Sequence, residues 1–160
     1  MKKVVCAAAG VAALLLANTA TAEQGLKGGL GLGIPYGLLG GNLEYGFNDY
    51  VAATGGLGIT PGGLGWAVGA RAYFADTGKV RPRISAYHGV VAILETKNWW
   101  GGDSEYDTLT GEAFGIGLEW TMPSGFMLEF DLLAVNVDIP ENATDETGKV
   151  KLSIGFSRYF

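Results

Sequence analysis

Residues 151–160 read KLSIGFSRYF, preceded by Val150. Side chains of an extended strand point alternately to two faces. Val150, Leu152, Ile154 and Phe156 therefore share one face, and Lys151, Ser153, Gly155 and Ser157 share the other. The chain ends on an aromatic, Phe160, where termini usually fray into polar residues. This stretch reads as a strand with one apolar face and one small, polar face, running to the last residue.

The same division recurs upstream. Leu39, Leu43, Tyr45 and Phe47 oppose Asn42 and Glu44. Leu64, Trp66, Val68, Ala70 and Phe74 oppose Ala67, Gly69 and Arg71. Phe114, Ile116, Leu118 and Trp120 oppose Gly115, Gly117 and Glu119, and Phe126, Leu128, Phe130 and Leu132 oppose Glu129 and Asp131. Turn chemistry separates the segments: ND at 48–49, TPGG at 60–63, DTGK at 76–79 and PSG at 123–125. Strands are predicted near 25–34, 39–47, 50–59, 64–74, 80–92, 108–120, 126–135 and 149–160. The fold class expected is all-β, an eight-stranded antiparallel up-and-down transmembrane β-barrel.

A soluble barrel would turn the apolar face inward. Three features favour the inverse, with that face toward lipid. The polar face is mostly Gly, Ala and Ser with a few charges, which suits a narrow interior. Aromatics gather at strand ends, as a membrane-interface girdle requires: Tyr45, Phe47, Tyr50, Phe74, Trp120, Phe126 and Phe160 fall toward one rim, with Trp66, Trp99 and Trp100 as further interface candidates. With both termini periplasmic, the short turns at 48–49, 75–79 and 121–125 fall on that side. The long connections, about 94–107 and 136–148, fall outside, and those near 35–38 and 60–63 are expected to be very short external loops.

The start of the chain fits this placement. MKKVVCAAAGVAALLLANTATA carries two lysines, an apolar run and a small-residue cleavage site, the pattern of a secretory signal over residues 1–22. The run is shorter than the roughly 20 residues a permanent helical span needs. Residues 23–160 then form a single barrel domain. Cys6, the one cysteine, falls in the signal, which leaves no disulfide, thiolate nucleophile or cysteine metal site in the remainder. Net charge is −5 before the lysines of the signal are removed. An acidic chain of this kind is not built for nucleic acid.

The final strand resembles the C-terminal assembly signal of bacterial outer-membrane proteins. Ser153, Gly155, Phe156, Tyr159 and Phe160 carry the match. Arg158 departs from it, standing where a hydrophobic residue is usual, and at the rim it would snorkel to headgroups. The whole chain resembles the small eight-stranded barrels of the OmpA membrane-domain and OmpX type. The resemblance implies an integral bacterial outer-membrane location with termini in the periplasm. It implies as partners the barrel-assembly machinery, outer-membrane lipids and lipopolysaccharide. No cofactor is expected.

The inward parity collects Lys27, Glu44, Arg71, Arg81, Arg83, Glu119, Glu129, Asp131 and Lys151. Charges confined in so narrow a lumen are expected to pair into a network that closes it. A gated narrow pore or polar binding site is the functional alternative. His88 is the sole histidine and Ser85 lies nearby, but an offset of three puts them on opposite faces of a strand. A bulge in YHGVVAIL, where both faces become apolar, would be needed to re-aim His88, so the register there is open. No catalytic residue and no metal ligand set is assigned. The connections hold Glu95, Asp103, Glu105, Asp107, Asp138, Glu141, Asp145 and Glu146, read as solvated acids without the spacing of a calcium loop. The expected role is a closed, salt-bridged barrel with a structural or surface-interaction function and no enzymatic activity. The alternatives are a narrow channel or transporter of small hydrophobic molecules, a lipid A-modifying enzyme, and a secreted soluble ligand-binding barrel.

Overall fold

The computed structural model describes residues 25–74, 78–96, 105–137 and 149–160. The signal over 1–22, Trp99, Trp100, Asp103, Asp138, Glu141, Asp145 and Glu146 lie outside the described residues.

The strands are β1 (Leu26–Gly33), β2 (Leu38–Gly46), β3 (Val51–Thr60), β4 (Gly63–Tyr73), β5 (Val80–Thr96), β6 (Glu105–Thr121), β7 (Phe126–Asn136) and β8 (Val150–Tyr159). Each pairs antiparallel with the next, and β8 returns to β1, so the sheet closes. The turns follow from their residues. Asn48 Oδ1 accepts the N–H groups of Tyr50 and Val51 at 2.8 and 2.9 Å, which reverses the chain between β2 and β3. Gly125 N–H bonds Met122 O at 3.0 Å between β6 and β7.

The parity assigned from sequence holds along the wall. Leu30, Leu32, Leu57, Ile59, Leu64, Val68, Ile116 and Leu152 are on the outer surface, each roughly half exposed or more. Lys27, Glu44, Arg71, Arg83, Glu119 and Glu129 are inside, at 1–2% exposure. The apolar side of this barrel is its outside.

Two expectations are corrected. The fifth and sixth strands run longer than 80–92 and 108–120, reaching Thr96 and starting at Glu105. Pairing explains the difference. β5 leaves β4 after Gly89 and β6 joins β7 only from Glu112, yet β5 and β6 stay paired out to Thr96↔Glu105 as a two-stranded ribbon beyond the wall. Val90, Val91 and Ala92 at its base stay buried, but beyond the wall the two strands take their register from each other, so the wall's inward–outward alternation does not mark their ends. A bulge at Val90/Ala92 begins the ribbon.

The second correction concerns residues 35–38, expected as a short external loop. Ile34–Tyr36 form a 3₁₀ turn, η1, folded into the lumen, with all three residues buried. Pro35 sits at the first helical positions and Gly37 closes the turn in the left-handed region at φ 61. Asn42 Nδ2 holds the turn by donating to Pro35 O at 2.9 Å. The barrel wall makes room for it: Gly31 and Gly155 are cross-strand partners, and a β-carbon on either would strike the Tyr36 ring.

Leu38, the residue after Gly37, has φ 81, the one positive value among described non-glycine residues. A leucine held there costs about 1–3 kcal/mol. Leu38→Gly is expected to raise resistance to urea unfolding by about 1 kcal/mol, since glycine's greater unfolded-state entropy offsets part of the relief. A fall in stability measured by tryptophan fluorescence would contradict this.

Candidate functional site

The interior has two tiers. The first lies in the half of the barrel nearer the chain ends. Its centre is the Glu129 carboxylate, contributed by β7. It receives Lys27 Nζ at 3.1 Å, Arg71 Nη1 at 2.8 Å and Arg83 Nη2 at 3.1 Å. Tyr36 Oη donates to it at 3.1 Å and Ser157 Oγ at 2.5 Å. Around this centre Lys27 also pairs with Glu44 at 2.9 Å and Glu119 at 2.5 Å. Arg71 reaches Glu44 at 2.5 Å and Arg83 reaches Asp131 at 2.7 Å. Arg81 Nη1 meets Glu119 at 3.3 Å while its Nη2 donates to Asp49 O at 2.6 Å.

These geometries follow from strand register. Lys27 faces Glu44 across β1 and β2, and Arg81 faces Glu119 across β5 and β6. The contacts of Lys27 with Glu119 and Glu129, of Arg71 with Glu44 and Glu129, and of Arg83 with Glu129 and Asp131 join strands that are not neighbours and cross the lumen. Each buried ion would be costly alone, and here each cation has at least one carboxylate within 3.3 Å. Of the inward set read from sequence, Lys151 stands apart: it is half-buried at the other end of the lumen and lines the cavity there.

Three tyrosines complete the tier and were not among the sequence candidates. Tyr73 Oη donates to Glu44 at 2.8 Å and accepts from Lys27 at 3.1 Å. Tyr87 Oη accepts Arg71 Nε at 2.7 Å. The Arg81 guanidinium lies 4.1 Å from the Tyr73 ring centroid, a cation–π contact. Tyr73 shares the parity of Arg71, and Tyr87 that of Arg83, so alternation alone identifies both. Tyr36 has no such signal, because it arrives on η1 rather than on a strand.

The second tier is apolar. Ile34, Ala67, Tyr87, Val91, Ala113 and Leu133 form a buried cluster with Val135 and Val137 against it. It fills the half of the lumen away from the chain ends. A cavity of about 210 Å³ opens at the terminal end, lined in part by Glu44, Tyr73, Arg81, Glu119 and Tyr159. A second, of about 310 Å³, lies at the far end over Ile34 and Val91. The charged tier and Tyr36 stand between the two.

Ser85 and His88 remain apart. Ser85 is buried and its Oγ lies 3.4 Å from Asp131 Oδ1, whereas His88 is on the outside, edge-on to Trp66 at 5.8 Å between centroids. The bulge in β5 falls beyond His88 and leaves it outward, opposite Val68 and Glu112. Among the described residues no group of three or more His, Cys, Asp or Glu has the arrangement of a metal site.

Around the outer wall at the terminal end, Tyr45, Phe47, Tyr50, Phe74 and Trp120 are about half exposed or more. Phe126 stacks on Phe156 at 4.8 Å, and the Arg158 guanidinium lies 5.3 Å from the Phe126 ring. Trp66 lies in the other half of the wall, opposite Leu57 near the β3–β4 turn. In β8, Ser153 and Ser157 face inward with Gly155, Tyr159 Oη meets Arg81 at 3.4 Å, and Phe160 N–H donates to Leu26 O at 3.0 Å. The last residue thus ties the closing strand to the first.

No family model matches the chain. No curated protein matches it either. Among solved structures, the chain is similar to the crystal structure of the N-terminal β-barrel domain of Pseudomonas aeruginosa OprF. The TM-score is 0.57 and the identity 20%, over 86% of this chain and 98% of that one. At that identity the likeness is one of fold: both are closed barrels.

Proposed function

We propose that the chain is a small integral β-barrel of the bacterial outer membrane, its termini periplasmic, with a closed lumen and a structural or surface-interaction role. One observation carries the reading: the apolar side chains cover the outside while the charges pair inside. In water this would expose a continuous apolar surface far beyond the few hundred Å² that soluble monomers tolerate. In lipid it is the expected arrangement, because a spanning sheet must close and satisfy its backbone internally. The aromatic girdle at the terminal end supports an interfacial position for that rim. The placement of short connections at the chain-end side supports a periplasmic orientation.

The lumen supports closure over conduction. A solute passing from one end cavity to the other would have to displace Tyr36 and part the Glu129 cluster. A structural role also fits the separation of His88 from Ser85, since a nucleophile and its base must come within hydrogen-bond reach. Ser153, Gly155, Phe156, Tyr159 and Phe160 are assigned to recognition by the barrel-assembly machinery, and outer-membrane lipids and lipopolysaccharide to the apolar wall.

The test is fractionation with gel mobility. Expressed with its own leader in a Gram-negative host, the protein is expected in the outer-membrane fraction, migrating differently before and after boiling. Recovery as a soluble periplasmic protein would reject the reading. Discrete conductance steps in planar bilayers would reject the closed lumen while leaving the membrane assignment intact.

A further inference from the structure

The outer face of β5, β6 and β7 changes character in one step. His88, Glu112 and Asn136 are cross-strand partners in a single row, and all three are exposed on the outside of the wall. One row nearer the chain ends the outward partners are Ala86, Phe114 and Ala134, and the next such row is Ile84, Ile116 and Leu132. The wall therefore passes from apolar to polar between adjacent rows. Trp66 of β4 stands at one end of the polar row, edge-on to the His88 ring.

Its depth follows from strand geometry. Glu112 lies eight residues along β6 from Trp120, which belongs to the aromatic girdle at the terminal end. At about 3.3 Å per residue and a tilt of about 40°, the two are about 20 Å apart along the barrel axis. The apolar band of such a wall is about 25 Å tall, so the row meets the opposite interface. Depth alone does not account for its polarity. Eight residues from Phe47, β2 presents Leu39, and ten residues from Phe74, β4 presents Leu64, both more than half exposed. The polar row is a feature of one sector of the wall rather than a belt around it.

We propose that this row binds the sugar part of a glycolipid in the surrounding leaflet. The Glu112 carboxylate accepts hydrogen bonds, the Asn136 amide donates and accepts, and the His88 ring supplies an N–H. Sugar hydroxyls, which both donate and accept, match all three at once. The row spans two strand spacings, about 10 Å, which a hexose ring with its hydroxyls bridges. The Trp66 indole beside it offers an apolar surface to the C–H face of the ring. A phosphate would meet Glu112 with like charge, which weighs against it. Beneath the row, the small side chains of Ala86 and Ala134 on either side of Phe114 leave shallow strips for acyl chains. This continuity with the lipid-facing wall selects a membrane-anchored sugar over one free in water. The inference rests on the membrane assignment above.

The test uses the full barrel, deuterated except at Leu methyls and with labelled Asn and His side chains, in phosphatidylcholine nanodiscs carrying increasing glucosyl-diacylglycerol. Saturable shifts of the Asn136 amide and His88 ring signals are expected, with magnetisation transfer from sugar protons to the Asn136 amide. Glu112→Ala combined with Asn136→Ala should weaken binding, read at His88, about tenfold through the loss of two hydrogen bonds. Sugar transfer of equal strength to the Leu39 methyls, or an unchanged affinity in the double variant, would overturn the site and leave the membrane assignment standing. Absence of acyl transfer to Leu39 and Leu152 would overturn both. Larger shifts from phosphatidylethanolamine than from the glycolipid, lost in Glu112→Gln, would assign the row to an ammonium headgroup and overturn the sugar. The same shifts from methyl glucoside added to glycolipid-free nanodiscs would assign it to a free sugar and overturn the lipid-anchored occupant. Shifts that follow the number of barrels per nanodisc instead of the glycolipid would assign it to a second copy of the chain and overturn the proposal.

Discussion

Glu129→Leu is expected to be among the most damaging single substitutions in the barrel, lowering stability by about 3–5 kcal/mol. The carboxylate takes two cations through Oε2, Arg71 and Arg83, and Lys27 through Oε1. It also takes the hydroxyls of Tyr36 and Ser157. Removing it leaves cationic groups in a lumen where solvent is scarce, and that penalty exceeds the lost attraction itself. The measurement is urea unfolding of the protein folded in lipid vesicles, followed by tryptophan fluorescence. The double variant Glu129→Leu with Arg71→Met should recover part of the loss, because one uncompensated cation goes with its partner. A single variant within 1 kcal/mol of wild type would mean that the ion pairs are not what fills the lumen. A double variant no more stable than the single one would mean that Arg71 is satisfied without Glu129.

The second large effect is expected at Gly155. A leucine there meets the ring and hydroxyl of Tyr36, and the opposite side of the recess is Gly31, so the ring has nowhere to shift within the wall. Overpacking of this kind costs about 1–3 kcal/mol and sometimes more. Tyr36→Ala alone is expected to cost about 3–5 kcal/mol through the emptied space. The two together should be less harmful than their sum by about 0.5–3 kcal/mol, since the leucine side chain enters the volume the tyrosine vacates. Strict additivity would show that Gly155 and Tyr36 do not share this space. Because Tyr36 stands between the two end cavities, Tyr36→Ala should also make the lumen leakier to small ions in planar bilayers.

How much of this was legible depended on whether a residue sits on a regular strand. Parity in β8 and β7 assigned Lys151, Ser153, Glu129 and Asp131 inward and Leu152, Ile154 and Phe130 outward, because a period of two leaves no other choice once one residue is placed. The same rule reaches Tyr73 and Tyr87, whose hydroxyls complete the ion-pair tier. Tyrosine reads equally well as an interface residue, and that ambiguity hides them. η1 was not legible. IPYG signals a turn through Pro35 and Gly37, but nothing local says that the turn folds inward. The information lies on other strands, in the facing glycines Gly31 and Gly155 that open a recess for it. The extent of β5 and β6 was missed for a related reason, since past Gly89 and before Glu112 their ladders run with each other and not with the wall strands, whose alternation is what marks a strand in the sequence. Fold and charged tier follow from alternation; the plug follows from where the chain leaves it.

The central claim is that the apolar face of every strand meets lipid and the polar face meets the lumen. The most direct test is a nitroxide scan along β7 and β8 of residues 23–160, which contain no native cysteine, in lipid vesicles, comparing collision with oxygen and with a water-soluble nickel complex. Labels at Leu128, Phe130, Leu132, Leu152 and Ile154 are expected to be oxygen-accessible, with labels at Met127, Leu133 and Ser157 shielded from it, in strict alternation. Alternation of opposite phase, or nickel access at Leu152 and Ile154 equal to that of a soluble strand, would contradict the account.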